Sequence, residues 1–312
     1  MAGSRLAPSR LADMGLFERW PPDRRTPGMT VIEAQGMPQG RDTGALADLC
    51  ERIERAVVRT MRDPHTLPVV ISGDHSSAIG TWRGVVRALR SRESAGARGG
   101  GGARRAASLG LLWIDAHMDA HTPQSSRSGA LHGMPLAALL GEGDARLLAQ
   151  PATLDPLQVA VVGVRSFEPE EADRLARLGV RVYTRAQIRE RTLAVVLAEA
   201  VQHVRRSTTG WGITLDVDAI DPDAAPGVNT PVADGLGRGE LLDALASIAP
   251  EAMPSLRAPI GDVPACLSPA RSSLVALEIT EYNPRRDPDG RTARLVEALL
   301  RCLLIAPGGT ND

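Results

Sequence analysis

The stretch LGLLWIDAHMD, residues 109–119, changes character at Asp115. Its first six residues are apolar with no polar alternation, the pattern of a strand covered on both faces as in a parallel sheet. Its last five carry two aspartates and a histidine at alternate positions. In an extended segment residues two apart point to the same side, so Asp115, His117 and Asp119 can converge on one point. In a parallel sheet ligands bind beyond the carboxyl ends of the strands, which is where these three residues fall.

The same pattern recurs along the chain. PVVIS (68–72), VAVVGV (159–164), VRVY (180–183), WGITLDVD (211–218) and LVALEI (274–279) are short aliphatic or β-branched runs, and helix-length segments lie at 186–204, 239–248 and 292–305. Strands alternating with helices predict an α/β fold, a three-layer αβα sandwich with a central, mostly parallel sheet. The 312 residues fit one such domain spanning 1–312. Residues 91–105, rich in Gly and Arg, and 250–272, rich in Pro, lack clear periodicity and are expected to be surface insertions, the first a mobile loop.

Composition narrows the function. With 36 basic and 37 acidic residues and a net charge of -1, no global field draws the chain to nucleic acid or to an anionic membrane. Every basic residue is arginine, which excludes Schiff-base, Walker-type and Ser-Lys chemistry. Cys50, Cys266 and Cys302 are far apart and in no metal-ligand spacing, so they fit buried structural roles in a reducing compartment. No apolar run reaches the ~18 residues of a membrane span, and a soluble cytoplasmic protein acting on a small molecule is expected.

Two further clusters accompany the first: Gly73-Asp74-His75-Ser76 after PVVIS, and Asp216-Val217-Asp218 at the end of WGITLDVD. Any one alone reads as a solvated loop or a helix N-cap. Three at three strand ends point to one site, and carboxylates gathered there need cations between them. The donor set is oxygen-rich, with two imidazoles and no thiolate, which suits Mn²⁺ and disfavours structural zinc.

SGDHS (72–76), DAHMD (115–119) and LDVDAIDP (215–222) resemble, in order and spacing, the three signature motifs of the ureohydrolase (arginase/agmatinase) family, closest to arginase. The resemblance extends through LAPSRLADMGL (6–16), SGALHGMPLAALLG (128–141), VGVRSFEPEE (162–171), NTPV (229–232) and EITEYNP (278–284). It implies two Mn²⁺ ions: one held by His75, Asp115, Asp119 and Asp216, the second by Asp115, His117, Asp216 and Asp218. It also implies that His132 shuttles protons, that Glu281 binds the guanidinium, and that Thr230 lies beside the reacting group. The implied reaction is hydrolysis of L-arginine to L-ornithine and urea by a homo-oligomer, a trimer or hexamer.

The chemistry agrees with that implication. A guanidinium carbon is a poor electrophile, and two cations about 3.5 Å apart can lower the pKa of a water between them from about 15.7 towards 7. A planar cation with fixed N–H donors is held edge-on by a carboxylate such as Glu281. The leaving amine needs a proton, which a histidine such as His132 can supply.

The tail end of the substrate site departs from the family. His121 and Ala130 stand where arginases carry asparagines, and Glu168 replaces an aspartate. His121, Ser126 and Ser128 are read as binding a substrate carboxylate, Glu168 and Glu171 the α-amino group. Arg165 and Glu171 are read as an ion pair or as part of the mouth. His65 and His203 are read as surface residues. Agmatine or a guanidino acid is the alternative substrate; a non-catalytic subunit and a deacetylase-like amide hydrolase are the alternative classes.

Overall fold

The computed structural model describes residues 3–15, 30–33, 41–63, 66–96, 108–149, 151–252 and 273–304. The six apolar runs form β1 (Val69–Ile71), β2 (Leu109–Ile114), β3 (Val159–Val164), β4 (Arg181–Thr184), β5 (Gly210–Asp216) and β6 (Ser273–Thr280). They make one sheet in the order β1-β6-β5-β2-β3-β4, every neighbouring pair parallel. The described α-helices are α1 (Ala7–Asp13), α2 (Thr43–Thr60), α3 (Ala78–Gly96), α4 (Pro135–Leu139), α5 (Pro169–Leu178), α6 (Arg185–Arg191), α7 (Leu193–Arg205), α8 (Arg238–Ala252) and α9 (Arg291–Leu304), with short 3-10 turns such as His75–Ser77, Leu131–Gly133 and Val217–Ala219 between elements.

Strand residues alternate between two cores, which produces the three layers. Leu109, Leu111 and Trp113 of β2 pack with Val57 of α2 and Trp82 and Val85 of α3. Leu112 and Ile114, facing the other way, pack with residues of α7, α8 and α9 such as Val201, Leu245 and Leu299. Both faces of β2, β3 and β5 are fully covered, so these strands needed no polar alternation.

Three segments differ from the sequence reading. The helical stretch at 186–204 is two helices, because Thr192 adopts φ 74 between α6 and α7. Residues 91–96, expected to begin a loop, continue α3 to Gly96, while 97–105 lie outside the described residues. Likewise α8 runs on to Ala252, and 253–272 lie outside the described residues. No helix among the described residues is long and apolar enough to cross a membrane.

Chain direction across the sheet positions the site. After β2 the chain moves outward to β3 and β4, then returns to place β5 on the other side of β2 and β6 beyond it. The carboxyl ends of β2 and β5 therefore form the switch point where an α/β sheet opens a crevice. Gly163 helps to shape it: with φ +103 at an irregularity between β3 and β4, it brings a backbone to which any Cβ would stand 3.0 Å from the Asp115 carbonyl.

Candidate metal centre and active site

Ile114 and Leu215 are register partners on β2 and β5, so the residues that follow them, Asp115 and Asp216, emerge abreast at the crevice. His75 enters from the turn after β1 and is wholly buried. Its Nδ1 lies 3.0 Å from Asp115 Oδ2, 3.0 Å from Asp119 Oδ2 and 3.2 Å from Asp216 Oδ2. His117 Nδ1 lies 3.5 Å from Asp115 Oδ1 and 3.3 Å from Asp218 Oδ2. All six residues read from the sequence as ligands are thus brought together, in two groups that share Asp115.

The arrangement imposes strain on two backbones and is held by aromatic packing and a hydrogen bond. Asp119 has φ 49 and Glu281 φ 66, left-handed conformations that a non-glycine residue adopts only where its surroundings impose them. The His75 ring stacks on Trp113 with centroids 4.2 Å apart, and Trp113 Nε1 donates to Asp115 Oδ2 at 2.9 Å.

A test of fit for metal comes from the buried polar atoms. His75 Nδ1 and Asp218 Oδ1 are buried without a hydrogen-bond partner, although carboxylate oxygens surround the first. A ring lone pair facing three carboxylates needs either protons or a cation between them. Without metal, protons fill the role. Burial opposes charge on His117, but Asp115 and Asp218 outweigh it and push the imidazole up to about 12. Burial likewise opposes charge on His75, and the three carboxylates overcome it. Burial, with Asp218 and Asp115 nearby, pushes the Asp216 carboxyl up, and burial beside Asp115 does the same to Asp119. The donors therefore suit divalent cations, and the groups His75-Asp115-Asp119 and Asp115-His117-Asp218 can hold them.

Above the acidic floor, His132 Nδ1 stands 3.7 Å from Glu281 Oε1. Glu281 is buried, accepts from His75 N at 3.1 Å and from Asn229 Nδ2 at 3.3 Å, and burial next to Asp74 and Asp218 raises its carboxyl well above the usual range. Asn283 Nδ2 in turn donates to Asn229 Oδ1 at 2.7 Å. Burial lowers the His132 imidazole despite the pull of Asp74. Thr230 Oγ1 donates to Asp218 Oδ2 at 2.7 Å, which puts NTPV against the second group.

The family-like segments at 72–76, 115–119, 215–222, 229–232 and 278–284 meet in this one crevice. Residues 1–256 match the model of the Arginase family. The chain belongs to the arginase family. It is 30% identical over 275 residues to the arginase of Bacillus caldovelox, an alignment that covers 87% of this chain and 79% of that protein. It is 32% identical over 247 residues to the arginase of Brevibacillus brevis, across 78% of this chain and 70% of that one. Its fold superposes on the crystal structure of arginase from Bacillus subtilis with a TM-score of 0.79 and 26% identity, covering 100% of this chain and 94% of that chain.

Within this arginase-family site the expected substrate-tail residues separate. His121 joins the two glutamates, its Nε2 2.9 Å from Glu168 Oε2 and 3.3 Å from Glu171 Oε2, while its Nδ1 lies 3.1 Å from Ser125 Oγ. It does not join Ser126 and Ser128, whose hydroxyls accept from Gly129 N and Ala130 N within their own loop. The reading of Arg165 and Glu171 as an ion pair is corrected. Glu171 is the N3 residue of α5 and accepts from Glu168 N and Ala120 N. Arg165 donates instead to the carbonyls of Gly163, Asp218, Ala219, Val232 and Ala233. His203 is half-buried on α7, and His65 and Cys266 lie outside the described residues. Cys50 is buried, its thiol pushed up to about 12 by burial, and Cys302 is half-buried.

The sequence reading missed Trp113, Thr214, Glu278, Asn229 and Asn283. A signal was present for two of them: Thr214 and Glu278 are polar residues inside otherwise apolar strands and are fully buried.

Proposed function

We propose that this protein hydrolyses L-arginine to L-ornithine and urea with a pair of Mn²⁺ ions, one held by His75, Asp115, Asp119 and Asp216 and the other by Asp115, His117, Asp216 and Asp218. The observation that carries the reading is the sharing of Asp115 by two His/Asp groups directly below Glu281 and His132. The arginases to which the chain is similar support the substrate. When bound, the ions would supply the Lewis acid that makes water nucleophilic at neutral pH.

The chain's own residues do the rest. Glu281 holds the guanidinium edge, where two parallel N–H···O contacts fix a planar cation and its positive charge keeps this carboxyl ionised. Water adds to the guanidinium carbon and gives up a proton to His132, the bond from that carbon to the chain nitrogen breaks, and His132 delivers the proton with which the amine departs. Thr230, bonded to Asp218, lines the wall beside the reacting carbon.

A guanidino substrate without an α-amino group is the second reading, and one observation favours it: His121 already occupies the two acids that an α-ammonium would use. Urea release measured with added Mn²⁺ across arginine, agmatine, guanidinobutyrate, guanidinopropionate and guanidine decides between them. No urea from any of these would overturn both. Assembly as a trimer or hexamer in the cytoplasm belongs to the same proposal, with light scattering as its check.

A further inference from the structure

Glu278 is the most enclosed carboxylate of the described residues that no step above uses. It lies on β6, fully buried, between β5 and β1, where its register partners are Thr214 and Val70. Four side chains make a chain through it. Thr81 Oγ1 donates to Oε1 at 2.7 Å, and Trp82 Nε1 donates to Oε2 at 3.0 Å. Thr214 Oγ1 donates to the same Oε2 at 3.0 Å, and His75 Nε2 meets Thr214 Oγ1 at 2.9 Å.

The proton positions along this chain follow from the donor inventory. An indole N–H can only donate, so Oε2 is an acceptor towards Trp82. A threonine hydroxyl has one proton, and that of Thr214 is given to Oε2, so Thr214 can only accept from the ring. With Glu278 ionised, His75 carries a proton on Nε2 whatever its charge, so Nδ1, which faces Asp115, Asp119 and Asp216, is the nitrogen that would exchange its proton for a cation. Packing fixes the far end: a Cβ on Gly212 would stand 2.1 Å from the Trp82 ring, so only glycine leaves room on β5 for the indole that reaches Glu278.

We infer that Glu278 is a positioning residue: acting through Thr214, it fixes the tautomer and orientation of His75 and thereby the cation affinity of the group that contains His75. The inference rests on the metal-site reading proposed above. Second-layer carboxylates of this kind typically change metal affinity by about 10- to 100-fold when removed.

Calorimetric titration of chelator-treated protein with Mn²⁺ tests it. Glu278→Met is expected to weaken one of the two binding steps about 10- to 100-fold and to leave the other at its parental value. Glu278→Gln keeps an acceptor oxygen for Trp82 and Thr214 and is expected to bind nearly as the parent does. A merely structural role would lower the melting temperature of the metal-free protein and move neither step. Glu278→Met with both steps at parental values overturns the inference. If that variant does not fold, Thr214→Val decides, since it cuts the hydroxyl that links Glu278 to His75; parental binding there overturns the inference equally, and Thr214→Ser should restore it. A parent that takes up a single Mn²⁺ counts against the two-ion reading, and the affinity of that ion in the same variants still decides the role of Glu278.

Discussion

His121 Nε2 lies 2.9 Å from Glu168 Oε2, so the histidine that stands where arginases carry asparagine is bonded to an acid expected to take the substrate's α-amino group. An arginine ammonium must share or displace that imidazole. Losing one hydrogen bond to a charged group costs about 1.5 to 3 kcal/mol, which corresponds to a KM for arginine raised roughly tenfold or more with kcat little changed. His121→Asn combined with Ala130→Asn is therefore expected to lower KM for arginine and to leave guanidinobutyrate nearly unaffected. Steady-state kinetics on both substrates checks this; a double variant with lower kcat/KM for arginine would refute it.

For His132, 3.7 Å from Glu281, the expected role is proton delivery. His132→Ala should lower kcat about 10²- to 10⁴-fold with metal content unchanged. Near-normal turnover in that variant would leave the residue a structural histidine.

Asp115 belongs to both His/Asp groups, and Asp216 lies against His75 while bonding the Asp218 backbone. Asp115→Ala and Asp216→Ala are expected to abolish activity and to lower the metal found by elemental analysis from two ions per chain. His75→Ala, which touches one group, should be milder. One ion or none in the active parent protein counts against the two-ion site.

Metal-free protein should lose stability as pH rises. His75, His117, Asp119 and Asp216 all have pKa values raised by folding, so the native state binds more protons than the unfolded chain and the slope of stability against pH is negative. The carboxyls contribute from about pH 4 upward, the imidazoles from about pH 6.5. Chelator-treated protein is expected to melt lower at about pH 8 than at about pH 5.5, and Mn²⁺ to raise the midpoint more at the higher pH, where fewer protons must leave. Scanning fluorimetry at the two pH values reads both; a higher midpoint for the metal-free protein at the alkaline value would contradict the linkage.

Much of the fold is legible in the sequence. The central strands announced themselves because burial on both faces demands continuous apolar runs, and the His/Asp clusters because carboxylates at strand ends have few other reasons to gather. Thr214 and Glu278 were passed over for the same reason: inside WGITLD and LVALEI a single polar residue does not break the run, and its partner lies on another strand. The partnership of His121 with Glu168 joins residues 47 positions apart, which no local pattern records. The break at Thr192 escaped because both flanking segments are good helix formers and a threonine gives no local signal for the positive φ that it adopts.

The guanidinium of Arg165 gives its donors to carbonyls on two sides, Asp218 and Ala219 on one and Val232 and Ala233 on the other. These acceptors carry no net charge, so added salt does not loosen the joint as it loosens an exposed ion pair. The wall that carries Thr230 and the turn that carries Asp218 consequently move as one body. Breathing of the mouth falls to the rim at residues 122–130, where the Ser126 and Ser128 hydroxyls bond within the rim itself and Ser125 reaches beyond it only to the neighbouring His121. Amide exchange should register that asymmetry as slow protection loss at 218–221 and fast loss at 124–130, with the substrate passing over the rim that yields.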